Sequence, residues 1–413
     1  MDPTLAEKAK AILKPLISQT PETLFGLEKI MYNAKIVQEL EDDKKLILKK
    51  LIDSIVLRMP DLDASDIDMG STGCRGKIWY RIQGAKNPDP EAGDWDEYEM
   101  DFMLLNIIME KQRDFLIKER NVDFSYTIPY KEDQIRLRGD MYMDLGHVAM
   151  NMRLIGSEIR PFAGFGFHPE IAKALSLKYV KQGLCLITGI TGSGKSSTLD
   201  SIIDANNRSV DAHMVIIGSP IEQVHESRRC IVRHREVGAD VLSFKEGAIQ
   251  ALRQDPDIIV IGEMRDPETI ITGLEITDSG HKVFSTLHTS SAVESIDRMI
   301  GEVPAEVQGR VRERLADVLT VVVSQKLVRT LDGKRALAKE VLRVTPSISA
   351  AIKNNNLDEI YQMLQQGSKL GMITMEQDLK RLLEEKKISY EEALNNANLK
   401  KRFKEIVQFS PNA

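Results

Sequence analysis

The stretch LCLITGITGSGKSS, Leu184 to Ser197, passes from an apolar run through a glycine-rich turn into a helical pattern. It holds GxxxxGKS between Gly189 and Ser196, in the strand–loop–helix setting that a phosphate-binding loop requires. Its glycines let main-chain amides close around phosphate, and the helix N-terminus behind them adds positive potential. The nucleotide-binding candidates are therefore Gly189, Thr191, Gly192, Ser193, Gly194, Lys195, Ser196 and Ser197. Lys195 is placed to reach the β- and γ-phosphates, and the Ser196 hydroxyl to hold magnesium.

Around this loop the pattern is that of a parallel α/β sheet. The apolar segments LCLIT, MVIIG, IIVIG and KVFST are each followed by a turn and a helical stretch. The run Ile258 to Ile261 ends at Gly262 and Glu263, where a parallel sheet delivers side chains to its ligand crevice. A carboxylate there can orient or deprotonate an attacking water, so Glu263 is the catalytic candidate. Asp266 before Pro267 has a sufficient explanation as a helix N-cap. In HKVFSTLHTSSA, His281 and His288 flank a strand. At ~3.3 Å per residue they stand roughly 23 Å apart on opposite faces, which excludes their chelating one ion.

The rest of the chain frames this domain. Of 413 residues, 42% are apolar and 29% charged, which fits two or three cores in one globular protein. The formal net charge of −6, without a Lys/Arg block, argues against nucleic acid as a partner. Cys74, Cys185 and Cys230 are scattered and form no CxxC, so idle thiols are expected. With no apolar run near the ~20 residues of a membrane span, a cytoplasmic protein is expected.

The expected division is a helical extension over 1–58, a small mixed α/β domain over 59–155, a Gly/Pro/aromatic linker over 156–169, an α/β nucleotide-binding domain over 170–344 and a helical subdomain over 345–413. Leu48, Leu51, Ile52 and Ile55 mark one face of a helix in the extension. One helix is expected across EMDFMLLNIIMEKQRDFLIKE, and an exposed loop across GAKNPDPEAGDWDEYE. Thr345, Thr374 and Ser389 open helices in the tail.

In this order TGSGKSS, SPIEQVHESRRCIVRHREVGAD, ALRQDPDIIVIGEMRDPETI, GHKVFSTLHTSSAVESIDRMI and VVVSQKLVRT resemble the secretion ATPase superfamily. The tail YQMLQQGSKLGMITMEQDLKRLLEEKKISYEEAL resembles its PilT-like type IV pilus retraction branch, and ASDIDMG, VDFSYTIP and RLRGD resemble that branch's PAS-like N-terminal domain. The resemblance implies an α/β chain, a PAS-like domain before a RecA-like ATPase domain with a helical tail. It implies ATP and Mg2+ as cofactors, and Glu263 as the carboxylate of an atypical Walker B whose usual Asp is Gly262. His288 would contact the phosphate region, and His281 would couple strand position to a neighbouring element. Arg136 and Arg138, with Arg153, match arginines that help complete the site across a subunit boundary. The family's Glu-Asp-Pro-Ile-Glu is here Gly218-Ser219-Pro220-Ile221-Glu222, so Glu222 alone remains to support the metal.

The implied protein is a homohexameric motor for pilus retraction and twitching motility. It would act at the inner face of the cytoplasmic membrane through an inner-membrane pilus platform protein. A motor of a related secretion or conjugation system, a weakly hydrolysing nucleotide-gated scaffold and a DNA translocase are the alternatives.

Overall fold

The structure, a computed structural model, describes residues 3–131, 133–156 and 158–408. The chain divides into two compact units, Met1–Ser157 and Glu158–Ala413.

The first unit opens with helices α1 (Pro3–Gln19), α2 (Gly26–Glu39), α3 (Asp42–Val56) and the single turn α4 (Arg58–Asp61). Strands β1 (Ala64–Gly70), β2 (Trp79–Ile82) and β3 (Ala85–Pro88) follow. Then come α5 (Glu97–Ile107), α6 (Glu110–Glu119), β4 (Asn121–Tyr130), β5 (Asp133–Asp144) and β6 (His147–Ile155). The sheet is antiparallel, ordered β3-β2-β1-β6-β5-β4. Leu48, Leu51, Ile52 and Ile55 of α3 are fully buried, in one core with Ile67, Tyr80, Leu137 and Met150 of the sheet. The helices expected as an extension thus share the core of the sheet.

Two local expectations are corrected. Instead of one helix, the chain breaks between α5 and α6, where Ile108 is extended (φ −102, ψ 151). Side chains cap both ends of the break. Arg113 donates to Leu105 O at 3.0 Å and Ile108 O at 2.8 Å, while the Gln112 carbonyl accepts from Met109 N at 2.9 Å. The acidic segment after Gly84 is more than an exposed loop: it forms β3, buries Ala92 and Trp95, and uses Asp96 in a capping box for α5.

The second unit begins with stacked Phe162 and Phe167, centroids 5.4 Å apart, in the segment expected as a linker. It continues with α7 (Pro169–Leu175), β7 (Gly183–Thr188), α8 (Lys195–Ser209), β8 (Ala212–Gly218) and β9 (Cys230–Glu236). Next are α9 (Phe244–Ala251), β10 (Ile258–Ile261), α10 (Pro267–Asp278), β11 (Lys282–Leu287), α11 (Ala292–Gly301), α12 (Ala305–Val318), β12 (Leu319–Arg329) and β13 (Arg335–Arg343). The sheet order is β13-β12-β7-β11-β10-β8-β9, parallel except for β13. Successive residues of the central strands enter two cores: Leu184, Val215, Ile259 and Val283 one, Cys185, Met214, Ile258 and Phe284 the other. Burial on both faces explains the uninterrupted apolar runs.

The tail comprises α13 (Pro346–Lys353), α14 (Leu357–Gln366), α15 (Met375–Glu384), α16 (Tyr390–Asn396) and α17 (Lys400–Gln408). Thr345, Thr374 and Ser389 cap α13, α15 and α16. At α16 the box is half made, since the Glu392 carboxylate accepts instead from Arg329 N at 2.9 Å. All three cysteines are free, and burial pushes the Cys74 and Cys230 thiols up to about 11. Among the described residues no helix is long and apolar enough to cross a membrane.

Candidate active site

Six buried residues of β7 aim the chain at the loop Gly189–Gly194, after which α8 begins at Lys195. Gly189 (φ 150) could not carry a side chain, for a Cβ there would meet Gln325 O at 2.5 Å and also Ser193 Oγ. Gly192 and Gly194 have φ of 79 and 86, the left-handed region that favours glycine. From β12 the buried Gln325 amide donates to Ser193 O at 2.8 Å and braces the loop. Thr191, Gly192, Ser196 and Ser197 are exposed, as a loop that receives phosphate must be. Lys195 Nζ donates to Gly189 O at 2.7 Å and Ile190 O at 3.2 Å. Burial pushes its pKa down, against the charge of Glu263, with further effects from Arg265 and Glu222.

Glu263 stands two residues beyond β10. Its carboxylate accepts from Arg265 Nε at 2.8 Å and lies 3.7 Å from His288 Nε2. His288 follows β11, the neighbour of β10 in the sheet, so two strand ends bring acid and imidazole together. Burial, then the charges of Lys195, Arg265 and Arg298, push the His288 pKa below its ordinary value and favour neutral imidazole. Arg298 of α11 donates to His288 O at 3.3 Å. A cavity of about 300 Å3 is lined here by Met264, Arg265, Thr286, Leu287, His288 and Arg298. A larger one of about 960 Å3, beside the loop, includes Ser193, Gly194, Ser197, Gln325, Leu327 and Phe165 in its lining.

A side chain at the glycine of the altered acidic motif would crowd its neighbours, chiefly the movable end of Ile221. Gly218 does not have a left-handed φ, and a Cβ there would come within 2.7 Å of Ile221 Cδ1. Gly262 packs against the same place, its own Cβ position lying 3.5 Å from Gly218 Cα. Glu222 is half-buried in the connection after β8, close enough to Lys195 to affect its charge. Among the described residues no cluster of three His, Cys, Asp or Glu could hold a metal. One hydroxyl and one carboxylate suit magnesium, a hard ion that keeps waters and takes its other ligands from substrate phosphate.

The structure therefore brings Lys195, Ser196, Glu222, Glu263 and His288 to one edge of one sheet. Asp266 is the N-cap of α10, accepting from Thr269 N at 2.8 Å. His281 lies at the opposite edge, its Nδ1 3.2 Å from Ile276 O at the end of α10. Arg136 and Arg138 belong to β5 of the first unit. Arg138 pairs across the strand boundary with Arg153 and lies 3.4 Å from Asp123. Arg153 makes a 2.8 Å bond to Asp66. The sequence reading did not single out Gln325, Arg265 or Arg298; of these only Arg265 carried a local signal, two residues from Glu263.

The family described as Type II/IV secretion system protein matches residues 40–409. The chain belongs to that family. Within it, this secretion ATPase is PilT-like. It is 38% identical over 301 residues to the type IV pilus retraction ATPase PilT of Pseudomonas aeruginosa, covering 73% of this chain and 86% of the relative. It is 36% identical over 300 residues to the twitching motility protein of Neisseria gonorrhoeae, covering 72% and 79% respectively. A crystal structure of the pilus retraction motor PilT with bound ADP superposes with a TM-score of 0.76 at 34% identity, covering 86% of this chain and 99% of that one.

Proposed function

We propose that this secretion ATPase hydrolyses ATP to drive type IV pilus retraction, as a homohexamer at the inner face of the cytoplasmic membrane, engaged with an inner-membrane platform protein. The observation that carries the catalytic reading is the Glu263 carboxylate, held by Arg265 beside His288 and within electrostatic reach of Lys195. The motor reading is supported by the similarity to retraction ATPases over most of the chain.

In this mechanism the loop amides and Lys195 hold the β- and γ-phosphates. Ser196 and, through water, Glu222 would hold magnesium, which when bound neutralises charge on the phosphate oxygens. Glu263 orients a water and takes its proton as the oxygen attacks γ-phosphorus. The β–γ bridging bond breaks, giving ADP and phosphate. Neutral His288, beside Glu263, contacts the transferring group. Arg136 and Arg138 serve the site of a neighbouring subunit.

Gly218 and Ser219, which replace two acids, favour one second reading, a scaffold that binds nucleotide and turns it over little. Steady-state phosphate release at saturating MgATP, on material sized as a hexamer, separates the two. Sustained turnover supports the motor. Tight binding without turnover supports the scaffold.

A further inference from the structure

The connection from residue 219 to 229 joins β8 to β9 without regular secondary structure, and it carries Glu222. Its position therefore depends on discrete anchors. On one side of Glu222, Ile221 N donates to Glu236 Oε2 at 3.1 Å. On the other, His225 Nε2 lies 3.1 Å from Asp200 Oδ1, and His225 N donates to His234 Nε2 at 3.0 Å. The His225 side chain is 1% exposed and that of Asp200 23%. Farther along α8, Asn207 donates to Glu226 O at 2.7 Å and accepts from Arg228 N at 3.1 Å, so the connection is fastened along the phosphate-loop helix.

Asp200 lies four residues after Ser196 on α8, one turn along the same helix face. Of Asp200 and Asn207, through which the helix that presents Ser196 grips the segment that presents Glu222, Asp200 is the nearer to Ser196 in the chain. The ring chemistry fixes the direction of the bond. Nδ1 of His225 is buried and, among the described residues, meets no hydrogen-bond partner. A carboxylate can only accept, so the bond is a donation from Nε2 to Asp200. Burial raises the Asp200 pKa, the His225 bond opposes that rise, and the charge of Glu222 adds to it, so the two acids lie within electrostatic range.

We propose that Asp200 and His225 are positioning residues for Glu222, locking the β8–β9 connection onto the phosphate-loop helix so that the one remaining acid of the altered motif meets the metal and phosphate at Ser196. The proposal rests on Glu222 supporting magnesium. Where neighbouring acids are absent, the placement of this single carboxylate carries more of the metal affinity, and groups that orient a ligand are worth roughly 10–100-fold in that affinity.

The test uses the full chain and the affinity of a fluorescent ADP as magnesium is titrated, with hydrolysis and thermal unfolding measured alongside. Glu222→Gln should raise the magnesium needed for half-maximal tightening roughly tenfold without weakening metal-free ADP binding, since it only removes negative charge beside the phosphates. Asp200→Ala and His225→Ala should reproduce that shift. His225→Gln, whose amide reaches the Nε2 position, should restore most of it, and Asp200→Asn, which can still accept the bond, should shift it least. A purely structural role would lower the unfolding temperature without separating metal-dependent from metal-free binding. If Asp200→Ala does not fold, Asp200→Asn and His225→Gln decide against His225→Ala. A shift in Glu222→Gln with wild-type titrations in folded Asp200 and His225 variants overturns the positioning role. An unshifted Glu222→Gln overturns the metal reading and the proposal with it.

Discussion

The two edges of the parallel sheet use the same residue types for different work. At the edge where β7, β10 and β11 end, Lys195 and His288 face Glu263 across the crevice. At the edge where β11 begins, Lys282 and His281 are spent on the fold. Lys282 is fully buried, and its Nζ donates to Ala174 O at 2.8 Å and Val180 O at 3.1 Å. His281 lies against the last carbonyls of α10 and 3.1 Å from Ser279 Oγ. The difference follows from polarity. Strand C-termini lead into loops and helix N-termini, which attract anions, whereas the opposite edge collects helix C-termini, whose carbonyls attract cations. A residue's type in this sheet says little until its edge is known.

Exchanging the two lysines tests the contrast at its largest. Lys195→Ala should abolish measurable fluorescent-ADP binding, because the main cation on the β/γ-phosphates is gone. Lys282→Ala should keep wild-type affinity per folded molecule while lowering the unfolding temperature, since Ala174 O and Val180 O lose their donor. Nucleotide binding lost equally in both would break the distinction.

The histidines should divide the same way by smaller amounts. His288→Ala should lower kcat by roughly 10–100-fold, the usual scale for losing a group that acts on the reacting centre. His281→Ala should leave kcat near wild type and cost about 1 kcal/mol of stability, the net worth of a hydrogen bond. Steady-state hydrolysis and denaturant unfolding on the same samples check both. As the His288 pKa is pushed down, acidification to its ordinary value of 6.5 should not by itself switch the imidazole to its charged form.

A further effect, on stability alone, separates chemistry from stability through pH. Glu340 of β13 is buried, accepts from Ala292 N at 2.8 Å, and is pushed from 4.5 up to about 7, chiefly by burial. Its folded-state pKa lies above its unfolded one. Its contribution to stability is therefore fully present below about 4.5 and is lost as pH rises through about 7. The unfolding temperature of the native chain relative to Glu340→Gln should fall across that window and level off above it.

What the sequence made legible was local in the chain. The phosphate loop, the strand-end Glu263 and the Asp266 and Thr374 caps are each written within a few residues. What it hid depends on distant partners. Gln325 braces Ser193 from 132 residues away, and Asp200 meets His225 across 25. The helix break at Ile108 depends on side chains of the following helix, and buried Trp95 lies in a segment otherwise composed like a loop. Gly218 shows a further limit. Its φ is ordinary, and the crowding a Cβ would meet, from Ile221 Cδ1 at 2.7 Å and Pro220 O at 3.2 Å, is visible only in the folded chain.

The central claim is that Glu263 performs the chemistry while the loop performs the binding. Glu263→Gln preserves size but cannot take a proton, so fluorescent-ADP affinity and ATP turnover measured on one preparation test it directly. The account predicts wild-type affinity with turnover reduced by two orders of magnitude or more, on the order of what proton transfer by a placed base supplies. Turnover retained at the wild-type level, or affinity lost as completely as in Lys195→Ala, would contradict it.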